Sequence, residues 1–252
     1  MAIPVEPTDR VTRLYILDFG LFRVHSGNRV IGICGYLIRT AAGRNILVDT
    51  GFPAKYHRDA RAATLEDRLD SFGEIVSLTD ENGLRQQLER AGLSPADVDC
   101  LILTHTHIDH VGGIGDFPHA PLVVGRAERA CPRPLYWQGA QPLEWPDVAT
   151  IPVEGDLDIC QGLRLLSTPG HSPGHLSLLV TLPESGPILL TADAISRPAE
   201  IDERFAGFWD EAQAMASAER LLELAGACGA TVIYGHWPEQ WPTLRKAPAF
   251  YG

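Results

Sequence analysis

Short apolar runs, each closed by glycine, proline or polar residues, recur along the chain at lengths that suit strands better than long helices. Arg13–Gly20 and Val30–Ile38 are strand-like and separated by a turn containing Gly27-Asn28, which predicts an antiparallel opening. After a turn at Ala42-Gly43-Arg44, the run 45–51 reads as a strand ending in Asp49-Thr50-Gly51. Further strands are expected over 100–104, 121–125, 150–153, 162–167, 176–180, 187–193 and 230–237, with 176–180 and 187–193 forming a hairpin. Apolar positions at helical spacing mark 83–92, which ends in glycine, and 211–225, while a helix start at 126–130 is stopped by Pro132. Two stretches fit neither period. The segment 52–82 reads as an irregular or partly helical excursion whose Phe52, Tyr56 and Phe72 favour packing over disorder. The segment 131–149, rich in proline and carrying Trp137 and Trp145, suits a stiff loop that either walls a pocket or packs onto the body.

The chemistry concentrates where the 100–104 run gives out into His105-Thr106-His107-Ile108-Asp109-His110, followed by Val111-Gly112-Gly113. Three imidazoles and a carboxylate this close together would be costly in an apolar core, because each needs a hydrogen-bond partner or a metal. A polar surface loop is the plain alternative. In a strand-like start His105 and His107 point the same way, and the following turn can aim Asp109 and His110 at a neighbouring point, so two adjacent cations can be served. Downstream, Pro169-Gly170 forces a turn before His171-Ser172-Pro173-Gly174-His175, while Asp193 and His236 each terminate a strand. Taken singly, Asp49, Asp193 and His236 read as strand-ending caps.

Composition narrows the class. With 252 residues, 45% hydrophobic and 21% charged, the chain is an ordinary globular protein long enough for a substantial core, and one domain over 1–252 is expected. No apolar run spans a bilayer, and the start, Met1–Pro7, lacks the basic segment and apolar core of a secretory signal, so a cytoplasmic location is expected without membrane contact. A formal charge of −11 repels phosphate backbones and argues against nucleic acid, leaving a small-molecule substrate as the partner and a homodimer as an open question. The five cysteines, Cys34, Cys100, Cys131, Cys160 and Cys228, show no CxxC spacing and are expected to be reduced.

Together the HxHxDH stretch with its glycines, the GHSPGH stretch, Asp193 and His236 resemble the metallo-β-lactamase superfamily of metal-dependent hydrolases, from the Asp49 strand to His236. The resemblance implies an α/β fold, an αββα four-layer sandwich of two mixed sheets face to face with helices outside. It implies that His105, His107 and His171 hold one divalent metal ion, that Asp109, His110 and His236 hold a second, and that Asp193 lies between them. Zinc is the first expectation, with manganese, iron or cobalt as alternatives. Asp49 would orient a ligand histidine, and His175 would be structural. His107 stands where the flavodiiron oxygen reductases place a glutamate, which disfavours redox chemistry.

Ligand spacing, length and the Phe250-Tyr251-Gly252 ending are most similar to the N-acyl homoserine lactonase branch, which also contains 4-pyridoxolactonase. That branch carries a substrate-facing tyrosine three places after the bridging aspartate, where this chain has Ser196. The implied activity is dinuclear hydrolysis of a small lactone or cyclic ester, with Asp109 and Asp193 as catalytic carboxylates. Hydrolysis of a carboxyl ester, phosphotriester, thioester or β-lactam in the same site is the alternative, and a non-catalytic metal-binding protein is a third reading.

Overall fold

The computed structural model describes residues 3–252 except Gln138. Among the described residues twelve strands form two sheets: β1 (Val11–Val24), β2 (Arg29–Thr40), β3 (Asn45–Val48), β4 (Gly73–Ser77), β5 (Cys100–Ile102), β6 (Leu122–Gly125) and β7 (Thr150–Val153) build one, in the order β4-β1-β2-β3-β5-β6-β7. The other contains β8 (Leu157–Cys160), β9 (Leu163–Ser167), β10 (Leu176–Leu182), β11 (Gly186–Ala192) and β12 (Thr231–Tyr234), in the order β12-β11-β10-β9-β8. Both sheets are mixed. β1, β2 and β3 pair antiparallel whereas β3, β5, β6 and β7 run parallel, and β12 joins the otherwise antiparallel second sheet parallel to β11.

Strand alternation makes the layers. Ile46 and Val48 of β3, with Ile16, Tyr36 and Ile102, face Leu165, Leu178 and Leu190 of the second sheet in the inner core. The intervening Leu47, with Tyr15, Leu37 and Leu101, packs outward against Leu88 of the helix Leu84–Arg90 and Ala63 of the helix Ala60–Glu66. On the far side, Leu166 and Leu189 meet Ala214, Ala218 and Leu221 of the helix Glu211–Cys228. The result is the expected αββα sandwich. No helix among the described residues is long and apolar enough to cross a membrane.

The structure also adds elements that periodicity did not reveal. Within the 52–82 excursion, β4 pairs antiparallel with the far end of β1, and only alternate residues of this sheet-edge strand are shielded. Its exposed positions, such as Glu74 and Val76, mix charge and apolarity and so blur the period-two signal. β8 is similarly short and at an edge, and β1 runs to Val24, beyond the expected 13–20. Parallel strands β3, β5 and β6 end on the same side, which brings the loops following them together with the turns after β9, β11 and β12.

Candidate metal centre

Each loop delivers its side chains by a local device. β5 stops at Ile102, the chain bends at Thr104 and is extended again at His107 (ψ 159°), and a single helical turn, Ile108–Val111, then swings Asp109 and His110 round beside the two earlier histidines. His171 comes from the Pro-Gly turn after β9, Asp193 follows directly on β11, and His236 follows β12. At Asp193 the preceding Ala192 has φ +45°, so the strand breaks sharply as the carboxylate turns into the site.

Potential donor atoms converge in three overlapping groups: His105, His107 and His171; His105, His110 and Asp193; and Asp109, His110 and His236. Within each group the atoms lie within 4.8 Å of one another. Asp193 divides its two oxygens between the sets. Its Oδ2 lies 3.4 Å from His171 Nε2 and 4.0 Å from His105 Nε2, while Oδ1 lies 3.2 Å from His236 Nε2 and 3.5 Å from His110 Nε2. Asp109 Oδ2 is 3.5 Å from His236 Nε2 and 3.6 Å from His110 Nε2, and His107 Nδ1 is 3.0 Å from His171 Nε2.

These separations and the chemistry of the donors fit divalent cations. Tetrahedral zinc, with ligand bonds of about 2.0–2.1 Å, sets neighbouring donors roughly 3.3 Å apart. Buried Nε2 atoms of His105, His110 and His236, and Oδ1 of Asp193, have no hydrogen-bond partner among the described residues, an arrangement that is costly unless a ligand satisfies them. Electrostatics divide the imidazoles. Burial, then neighbouring histidines, hold His105 well below its usual pKa, and burial does the same to His171 and lowers His107, which keeps lone pairs available. At His110 and His236 burial is outweighed by the carboxylates: Asp109, Asp193 and Asp49 raise His110 to about 10, and chiefly Asp193 raises His236 to about 9. A positive charge is therefore favoured at those two positions, and a metal ion competes with the protons for them.

Supporting hydrogen bonds fix the rings. His110 Nδ1 lies 2.8 Å from Asp49 Oδ2, and Asp49 also accepts from the Thr104 amide (2.9 Å) and hydroxyl (2.7 Å). His236 Nδ1 lies 2.9 Å from the Gly32 carbonyl oxygen, so in both rings a proton on Nδ1 leaves the Nε2 lone pair facing the cluster. His175 does something else. Its Nε2 accepts the Asp193 amide at 3.1 Å, its Nδ1 lies 2.8 Å from Thr168 Oγ1, and burial pushes its pKa down to about 3. The imidazole is thus occupied in holding the backbone at Asp193.

Two devices gave no sign of themselves in the sequence. Glu128, fully buried, accepts from the Thr106 amide (2.9 Å) and hydroxyl (2.8 Å) through Oε1 and from the Gly174 amide (3.1 Å) through Oε2. It staples the histidine-rich loop to the GHSPGH turn. The approach is so close that a Cβ on Gly174 would sit 2.4 Å from the Glu128 nitrogen. Asp67, also buried, accepts from Tyr56 Oη (2.8 Å), Tyr136 Oη (2.8 Å) and Lys55 Nζ (2.6 Å), tying the 52–82 and 131–149 segments together. Tyr136 in turn donates its amide to Thr106 (2.7 Å) and accepts from that of Ile108 (2.9 Å), bracing the backbone around His107.

The cluster forms the floor of a cavity of about 600 Å³. Phe52, Phe22, Phe72 and Trp137 contribute an aromatic wall, in which ring centroids, taken in that order, lie 6.0, 6.0 and 4.8 Å apart. Ser196, Arg29, Arg197, Glu200 and Glu203 contribute a polar one. Residues 35–236 match the model of the Metallo-beta-lactamase superfamily. The chain belongs to that superfamily. This superfamily member is 36% identical over 227 residues to an N-acyl homoserine lactonase of Bacillus cereus, with 85% of each chain covered. It is 35% identical over 187 residues to a Rhizobium radiobacter N-acyl homoserine lactonase, AttM, covering 69% of this chain and 71% of that one. Its fold superposes on an N-acyl homoserine lactone hydrolase solved with N-hexanoyl-L-homoserine at the catalytic metal center, with TM-score 0.83 and 30% identity over 96% of this chain and 100% of that one. The protein is a metal-dependent hydrolase.

Proposed function

We propose that this enzyme opens the ring of a small lactone, with an N-acyl homoserine lactone as the reference substrate. What supports this most directly is the division of the two Asp193 oxygens between two histidine sets on the floor of one cavity, in a chain that is 36% identical to a lactonase over 227 residues. In this reading His105, His107 and His171 would hold one metal ion and Asp109, His110 and His236 the other, and Asp193, with one oxygen toward each set, would serve both; the imidazole and carboxylate donors favour zinc. A bound cation pair supplies Lewis acidity, polarising the ester carbonyl and making a water acidic enough to deprotonate near neutral pH.

The chain's own groups do the rest. Asp109 directs Oδ2 at His110 and His236 and leaves its other oxygen to accept a proton from the attacking water. The water oxygen bonds to the carbonyl carbon, the ring C–O bond breaks, and the leaving alkoxide takes the proton back from Asp109. Asp193, held by His175 through its backbone, keeps both histidine sets in register. The aromatic wall excludes water and receives apolar parts of the substrate. Hydrolysis of another ester-type bond is the second reading, favoured by Ser196, whose short hydroxyl reaches less far than a phenol.

We read the chain as one domain whose 52–82 and 131–149 segments serve as pocket walls. A cytoplasmic location accords with five free cysteines and no disulfide among the described residues. The deciding experiment measures lactone and ester turnover together with metal content on one zinc-reconstituted preparation. About two metals per chain with lactone opening is the expected result; full metal loading with no lactone turnover, but turnover of another ester, would replace the reading by the second one.

A further inference from the structure

Above the metal cluster, the polar wall of the cavity carries two arginines and two glutamates that are unevenly paired. Arg29 opens β2, and Arg197 follows Ser196 in the loop after β11; both line the reaction cavity. Both also line a second cavity of about 540 Å³, so the two arginines stand in the partition between the cavities. The carboxylates nearby are largely committed. Glu203 pairs with Arg197, and Glu200 Oε2 accepts the amides of Ser196 (2.7 Å) and Arg197 (3.4 Å). Arg29 pairs with no carboxylate among the described residues; its Nη1 donates to the Ser26 carbonyl at 2.8 Å. The Arg197 side chain is only 13% exposed, and its Nε is buried without an acceptor. Burial, and then the charge of Arg197, lower the proton affinity of Arg29, and the opposing pull of Glu203 and Glu200 does not offset them.

We propose that Arg29 and Arg197 form a carboxylate subsite, and that the lactone this enzyme opens carries a carboxylate on the substituent attached to its ring. The proposal rests on the lactonase reading and specifies its substrate class. A planar monoanion matches the fork geometry of guanidinium groups, and Glu200 and Glu203 on the same wall repel a dianion such as phosphate more strongly than a monoanion. The chain's net charge of −11 does not oppose this at contact range, since fields of distant surface charges are screened beyond about 8 Å at physiological salt. With its carboxylate on the arginines, the remainder of such a substrate lies along the aromatic wall and over the metal cluster.

The test compares two probes with equal ring chemistry: homoserine lactone acylated with succinate, which ends in a free carboxylate, and the same lactone acylated with succinamate, which ends in a neutral amide. Both are assayed with zinc-loaded wild type, Arg29→Gln and Arg197→Gln. The wild type is expected to prefer the carboxylate by at least tenfold in kcat/KM, mainly through KM, and each variant should bring the ratio of the two probes to within threefold. Calorimetric titration of the ring-lactam analogue of each probe into wild type gives a binding ratio that needs neither turnover nor a variant, and it should favour the carboxylate equally. Equal kcat/KM for the two probes, or a carboxylate preference that survives both substitutions, overturns the subsite while leaving the lactonase reading intact. Turnover of neither probe by metal-loaded wild type overturns that reading and the proposal with it.

Discussion

Replacing Glu128 with glutamine tests whether the two metal-site loops are held together by one buried carboxylate. The side chain accepts three hydrogen bonds, two from Thr106 on Oε1 and one from the Gly174 amide on Oε2, and none of it is exposed to solvent. Glutamine offers one acceptor oxygen and one NH2 group. Whichever way the amide turns, a donor faces a donor at one end, leaving a buried N–H unsatisfied at a cost of about 1–3 kcal/mol. Bonds at the other end lose their charge assistance, roughly half their strength, for about another 1 kcal/mol. The expected destabilisation is therefore about 2–4 kcal/mol, which for a chain of this size lowers the melting temperature by roughly 5–15 °C. Because Thr106 lies between His105 and His107, and Gly174 is three residues from His171, the same loosening should speed loss of metal to a chelator by tenfold or more. Thermal melts of the zinc-loaded proteins and chelator-competition kinetics read both effects, with Glu219→Gln, on the exposed face of the long helix, as a control expected to change little. A Glu128→Gln protein that melts within 1 °C of wild type and releases metal at the same rate would refute the staple.

Ser196→Ala should change kcat by less than about tenfold, under roughly 1.4 kcal/mol of barrier, because no hydrogen bond of its hydroxyl among the described residues fixes the cluster, whereas Asp109→Asn should cost at least a hundredfold; steady-state rates on fully metallated protein check this, and a loss of several hundredfold in Ser196→Ala would move the proton route to the serine. Alkylation of the folded protein with iodoacetamide should label Cys228 first, since it is exposed, while burial pushes the Cys34 and Cys100 thiols up to about 12 and Cys160 up to about 11. Peptide mass spectrometry reads the order, and labelling of Cys34 or Cys100 as fast as Cys228 would contradict the buried core. Asp193→Ala should abolish turnover together with metal stoichiometry, as read by elemental analysis, while His175→Ala, which removes the acceptor for the Asp193 amide and the partner of the Thr168 hydroxyl but no metal donor, should retain metal and lose part of the rate.

The linear sequence determined whatever depends on residue type and short spacing. Apolar runs closed by turn residues located most of the strands, and the density of imidazole between 105 and 110 marked a metal loop, since that many buried donors have few other stable uses. Resemblance then supplied the layers, which periodicity alone could not: β3, Asn45–Val48, is buried on both faces, so its residues read as a continuous apolar run with no sign of which side each occupies. Tertiary structure decided what depends on groups far apart in the chain. Nothing near Glu128 indicates that it would close on Thr106 and Gly174, because its three partners come from two other loops. Asp67 meets Tyr136 across sixty-nine positions, and the edge strand β4 shows its pairing only once β1 lies beside it. Arg29 and Arg197 each read as ordinary surface arginines; only the sandwich, by placing the start of β2 beside the loop after β11, turns them into neighbours facing one cavity, because proximity of like charges is a property of the fold and not of either residue.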